Sequence, residues 1–107
     1  MRVRFMRLLV FFDLPVETAK QRKEYRCFRH FLIKDGYLML QESVYSKMVM
    51  DDANANSVIL RLKKNRPSCG LVQLLKVTEK QFAGMEDITG SRPEFKEMDT
   101  IERLVIL

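Results

Sequence analysis

One histidine and two cysteines are all the imidazole and thiol that 107 residues offer to zinc. Cys27 and Cys69 stand far apart with no CxxC spacing, and a single imidazole cannot complete a four-ligand set, so a zinc site of the usual kind is excluded. Both cysteines read as reduced thiols of a cytoplasmic protein. No apolar run approaches the length that crosses a bilayer, and no membrane partner is expected. The N-terminus is basic and then apolar, as in a secretion signal. Its apolar run is too short for one, and Asp13-Leu14-Pro15 stands where a small-residue cleavage site would be. Repeats and low-complexity tracts are lacking. So are a glycine-rich phosphate loop, a serine or cysteine in a nucleophile's setting, and a motif with paired carboxylates. Most hydrolase and nucleotide-binding classes therefore lose their usual signatures.

What is present is positive charge, unevenly placed. The net charge is +5. Residues 1–34 hold nine Lys or Arg against three Asp or Glu, while residues 35–107 hold ten against eleven. A polyanion partner, with nucleic acid ahead of a membrane surface, fits that asymmetry; a merely solvated basic face is the alternative.

The order of elements follows from local signals. Leu8-Leu9-Val10-Phe11-Phe12 is a short apolar run, and Pro15 cannot continue a central ladder, which predicts a buried strand over residues 4–12. Thr18 with Gln21 forms a capping box, so a helix is expected from Ala19 to Lys34, with Gly36 just past its end. On that helix Tyr25, Phe28, Phe31 and Leu32 form an apolar face. Arg22, Arg26 and Arg29 form an opposite stripe flanked by Lys23, His30 and Lys34. Two strands, about 37–41 and 43–50, come next, either paired or as one bent strand with a bulge near Glu42. Asp51 or Asp52 caps a second helix, about 53–65, although Val58-Ile59-Leu60 alone could be a strand. Leu71–Val77 reads as another strand, and Thr78 with Gln81 caps a short turn over 79–83. A polar, acidic loop leads to an apolar end, Leu104-Val105-Ile106-Leu107, expected to form an extra strand that docks on an edge of its own subunit, of a mate or of another protein.

That order predicts an α+β, ferredoxin-like βαββαβ sandwich: one domain over 1–107, with 91–107 a loop and a C-terminal strand for edge pairing. Two helices on one side of the sheet leave its other face bare, so a homodimer is expected. Asp13 stands at the end of the first strand. It reads either as a turn residue or as half of a Mg²⁺ site that a two-fold mate would complete. His30, on the basic flank, is read as a surface or phosphate-contacting residue.

Phe12-Asp13-Leu14-Pro15 after an apolar strand, the basic helix ending at Gly36, and Gln41-Glu42-Ser43-Val44-Tyr45-Ser46-Lys47 together resemble the CRISPR-associated adaptation protein family Cas2, over nearly the whole chain. Ser43–Lys47 and Val77–Ala83 resemble most the branch found beside the single-protein effector nuclease, the type II-A arrangement. The resemblance implies a ferredoxin-like homodimer. It also implies that Asp13 is the Mg²⁺ ligand and catalytic residue of an endonuclease acting on RNA or double-stranded DNA. It implies further a central dimer between two dimers of the CRISPR integrase, bound to prespacer and repeat duplex DNA. There the integrase carries the chemistry and this protein acts as a scaffold. The family often has tyrosine where Phe12 stands, and Phe12 lacks that hydroxyl. Arg22, Lys23, Arg26, Arg29, His30 and Lys34 are the expected nucleic-acid contacts.

Overall fold

The computed structural model describes residues 5–90. The expected C-terminal strand, Leu104–Leu107, and the loop before it lie outside the described residues. The order is β1 (Met6–Asp13), α1 (Ala19–Lys34), β2 (Leu38–Gln41), β3 (Val44–Val49), α2 (Asp52–Lys64), β4 (Leu71–Thr78) and α3 (Glu79–Ala83). The sheet runs β2-β3-β1-β4, and β1 pairs antiparallel with both β3 and β4. This is the ferredoxin-like arrangement, with the most apolar strand in the middle.

Side chains of a strand alternate between faces. In β1, Leu8, Val10 and Phe12 point toward the helices and are buried with Phe28 and Leu32 of α1, Tyr45 and Val49 of β3, and Ala55, Val58 and Leu62 of α2. Phe12 is the hub. Its ring meets Phe28 edge-on at 5.2 Å and Tyr25 edge-on at 6.1 Å, and lies tilted against Tyr45 at 5.7 Å. Val58-Ile59-Leu60 is helical, because Ala55, Val58 and Leu62 follow the 3.6-residue period and bury one stripe.

The caps act as the sequence indicated. Thr18 and Gln21 form a reciprocal capping box at α1, and Thr78 and Gln81 do the same at α3. Gly36 has φ +95°, in the left-handed region that ends helices, and a Cβ there would meet the Lys47 ammonium. Asp51 is the cap of α2, accepting from Asn54 N–H, while Asn54 Oδ1 accepts from Met50 N–H. Of the two alternatives for β2 and β3, pairing is the one found. The strands pair through a turn at Glu42-Ser43, and the register slips between Met39 and Gln41.

The opposite face of the sheet is apolar and open. Leu38, Ser46, Leu9 and Leu75 pair across all four strands in one row. Leu38 (62 % exposed), Met48 (48 %), Leu71 (55 %) and Leu75 (52 %) leave this side poorly covered in one chain. At its rim Arg7 holds α3. Its Nε and Nη2 donate to the Glu79 carboxylate at 2.7 and 3.2 Å, and its guanidinium lies 4.3 Å from the centroid of Phe82.

The Arg7 hydrogen bonds hold the Glu79 carboxyl below its ordinary value of 4.5. A depressed carboxyl stabilises the fold above its unfolded value, and the contribution disappears as pH falls through the lower folded value. Glu79→Gln is expected to cost under about 1 kcal/mol at neutral pH, because the pair is partly exposed. That difference from the native chain should vanish in urea unfolding carried out well below pH 4.5.

Candidate nucleic-acid interface and carboxylate site

The β1 pleat decides where Asp13 goes. Phe12 takes the core side, so the next side chain takes the open side, where Asp13 pairs in register with Leu71. Asp13 is exposed, and its carboxylate has no hydrogen bond or ion pair among the described residues. It borders a hollow of about 220 Å³ lined by Phe11, Phe12, Ser43, Val44, Leu71 and Gln73. The backbone beneath it is fixed by Gly70 at φ +94°: a Cβ there would stand 2.7 Å from Leu14 Cδ2 and 2.9 Å from the Asp13 carbonyl oxygen. Gly70→Ala is therefore expected to cost about 1–2 kcal/mol for the left-handed backbone alone. It should also push the Asp13 peptide out of place. Thermal unfolding and the Asp13 amide chemical shift would show both effects.

Among the described residues no three His, Cys, Asp or Glu gather to hold a metal. Asp13 is the one carboxylate of its hollow, with Ser43 and Gln73 as neutral oxygen donors. Mg²⁺ accepts so few protein oxygens when waters and phosphate complete its shell, so the donors fit half of a site.

The basic residues of α1 are only partly as expected. Arg22, Lys23, Arg26, His30 and Lys34 are exposed, and Lys23, Arg26, His30 and Lys34 follow one another at three- and four-residue spacing, in one row along the helix. Arg22 Nη1 also donates to the Val16 and Glu17 carbonyls, clipping the β1–α1 connection to the helix. Arg29 departs from the expected outer stripe. It is half-buried, and its Nε donates to Tyr45 Oη at 3.0 Å. That hydrogen bond holds its guanidinium charged above the ordinary arginine range, against the opposing effect of burial. The reason is angular. Arg29 lies four residues after Tyr25 and three before Leu32, on the flank of the apolar face, where its long stem can reach β3. Spacing alone does not mark Arg29 out, since Arg22, seven residues earlier, lies at nearly the same helix angle.

Asp13 and the row are not brought together. The carboxylate opens on the bare side of the sheet, while α1 covers the other side and turns its row to solvent. Sequence reasoning missed a second group of cations. Lys63, Lys64 and Arg66, at the end of α2 and just beyond, border a cleft against α1. Their clustering was visible in the sequence; their meeting with α1 was not.

A four-stranded antiparallel sheet with two helices on one face defines a ferredoxin-like domain, with the Asp13 carboxylate at the end of one of its two central strands. The model of the family "CRISPR associated protein Cas2" matches residues 6–85. The chain is 52 % identical over 103 residues to a CRISPR-associated endoribonuclease Cas2 of Treponema denticola, covering 95 % of this chain and 100 % of that one. It is 48 % identical to the protein of that name in Streptococcus mutans, covering 81 % of this chain and 80 % of the other. The chain belongs to the Cas2 family. The crystal structure of Streptococcus pyogenes Cas2 at pH 6.5 superposes with a TM-score of 0.58, at 19 % identity, over 78 % of this chain and 99 % of that one, which shows the shared fold. Among the described residues no helix is long and apolar enough to cross a membrane.

Proposed function

We propose that this chain is the duplex-DNA-binding scaffold of CRISPR adaptation: a cytoplasmic homodimer that bridges two integrase dimers while new spacers are captured and inserted. The observation that carries this reading is the row on α1. Lys23, Arg26 and Lys34 lie exposed on one helix with no acidic partner among the described residues. Such a row neutralises phosphates without reading sequence. The open apolar face supports the dimer, because a second copy would cover Leu38, Met48 and Leu75 and present the row twice. The apolar segment Leu104-Val105-Ile106-Leu107 is assigned to docking the integrase by strand addition. The motifs Ser43–Lys47 and Val77–Ala83, which resemble those of the type II-A branch, support assigning the chain to that branch.

The test is duplex binding as a function of salt. Replacing Lys23 and Arg26 by glutamine should lower affinity on the order of tenfold and flatten the slope of log K against log salt by about two per chain. An unchanged slope would remove the row from the interface.

A second reading, metal-dependent phosphodiester cleavage at Asp13, is favoured by the exposed, unpaired carboxylate and by the endoribonuclease names of the relatives. In that reading Asp13 holds the ion, with Ser43 and Gln73 beside it and the mate's Asp13 completing the set. The ion, when bound, supplies Lewis-acid polarisation of the phosphodiester.

A further inference from the structure

On the helix side of the sheet, away from Asp13, a cleft of about 780 Å³ runs between α1 and the segment linking α2 to β4. That volume is within the range of sites that take small ligands. Phe28 and Phe31 come from α1, Pro67 from the connecting segment, and Lys63, Lys64 and Arg66 line its α2 side. Phe31 is only half-buried, so part of its ring remains available, whereas Phe28 is closed off beneath.

The electrostatics favour an anion. Neither Lys63 nor Lys64 has an ion-pair partner among the described residues. Arg66 spends one Nη1–H on the Lys63 carbonyl, at 3.0 Å, and keeps its other donors. Glu24 is the single carboxylate in the lining, and it is already engaged: Ser68 N–H donates to it at 3.0 Å and Ser68 Oγ at 2.8 Å. Those hydrogen bonds hold the Glu24 carboxyl below its ordinary value. They also fasten residues 65–70 to α1, so the cleft has a fixed far wall.

We propose that this cleft binds unpaired nucleotides of a single-stranded polynucleotide, with a base against Phe31 and Pro67 and the neighbouring phosphates on Lys63, Lys64 and Arg66. Cations beside a partly accessible aromatic ring are the elements of single-strand binding, in which bases stack and the backbone is neutralised. A duplex cannot use the ring, because its bases are already stacked and paired. The inference adds to the row on α1: it assigns strand ends or loops to an adjoining surface, where Phe31, Pro67 and the cations at the end of α2 supply what the row lacks.

Cys27 makes the cleft directly readable, since it is exposed and lines it. In a full-length Cys69→Ser protein it is the sole thiol. Alkylation of Cys27 by N-ethylmaleimide would be timed with oligo(dT), with oligo(U), with a blunt duplex and with polyglutamate. Either single strand, at roughly ten times its dissociation constant, should slow alkylation about tenfold, and the two arms separate DNA from RNA. Protection should be lost in Lys63→Gln/Lys64→Gln, which alters only exposed side chains. Equal rates with and without both strands would overturn the proposal. So would equal protection by polyglutamate, which would make the cleft a mere anion site, or duplex protection that is lost in Lys63→Gln/Lys64→Gln, because a duplex held by the neighbouring α1 row should shield Cys27 in native and variant proteins alike. Duplex affinity measured on the same samples reports on the α1 row, so the two readings fail separately.

Discussion

Phe12→Ala is expected to lower the unfolding free energy by about 3–5 kcal/mol, a large part of what a domain of this size possesses. Phe12 is 5 % exposed and touches three aromatic rings from two other elements. Removing it opens a cavity where β1, α1 and β3 meet, and those neighbours cannot close it without moving backbone. Urea unfolding followed by circular dichroism gives the value. A cost below about 1 kcal/mol would show that the rings rearrange to fill the space. The position also bears on chemistry. A tyrosine hydroxyl at residue 12 would extend from a ring on the core side, away from the Asp13 carboxylate. The missing hydroxyl of Phe12 is therefore a matter of packing first.

Asp13→Ala is expected to have the opposite signature. Stability should change by no more than about 0.5 kcal/mol, since the side chain is exposed and unpaired among the described residues. Any Mg²⁺-dependent cleavage of RNA or duplex DNA by the purified protein should fall by at least about 100-fold, the upper end of what disturbing even the support of a ligand costs. Cleavage by Asp13→Ala and by the native protein would be compared in Mg²⁺ and in chelator, with a melt run on each sample. Cleavage that persists in Asp13→Ala places the chemistry elsewhere. Duplex binding that persists while cleavage is lost separates the α1 row from the carboxylate. Phe12 and Asp13 are adjacent in sequence, yet one variant tests the core and the other the site, because the pleat sends them to opposite faces.

Several features were legible because they are local. The capping boxes at Thr18 and Thr78 need only a hydroxyl and a glutamine three residues on. Gly36 marks the end of α1 because few other residues adopt its φ. The unbroken apolar run Leu8–Phe12 marks a buried strand before any partner strand is known and sets Asp13 at its end, though not which face the helices cover. Together with the charge asymmetry, these were enough for the element order and a basic face on α1, while the family was legible in the motifs Phe12–Pro15 and Gln41–Lys47.

The remainder depended on where long side chains end and which distant segments meet. Arg29 carries the same charge as Arg22 and Arg26, yet its place on the flank of α1 and the nearness of Tyr45 turn it inward, which no one-dimensional spacing of charges reveals. The slip between Met39 and Gln41 follows from pairing β2 with β3. The cleft against Lys63 and Lys64 exists because Glu24 and Ser68, 44 residues apart, are hydrogen-bonded. By itself the sequence determined the local elements and the buried first strand with Asp13 at its end, since caps and apolar runs act over a few residues. The tertiary structure decided which cations face solvent, how Gly70 seats Asp13 and which surfaces stand open, since these depend on contacts between residues far apart in the chain.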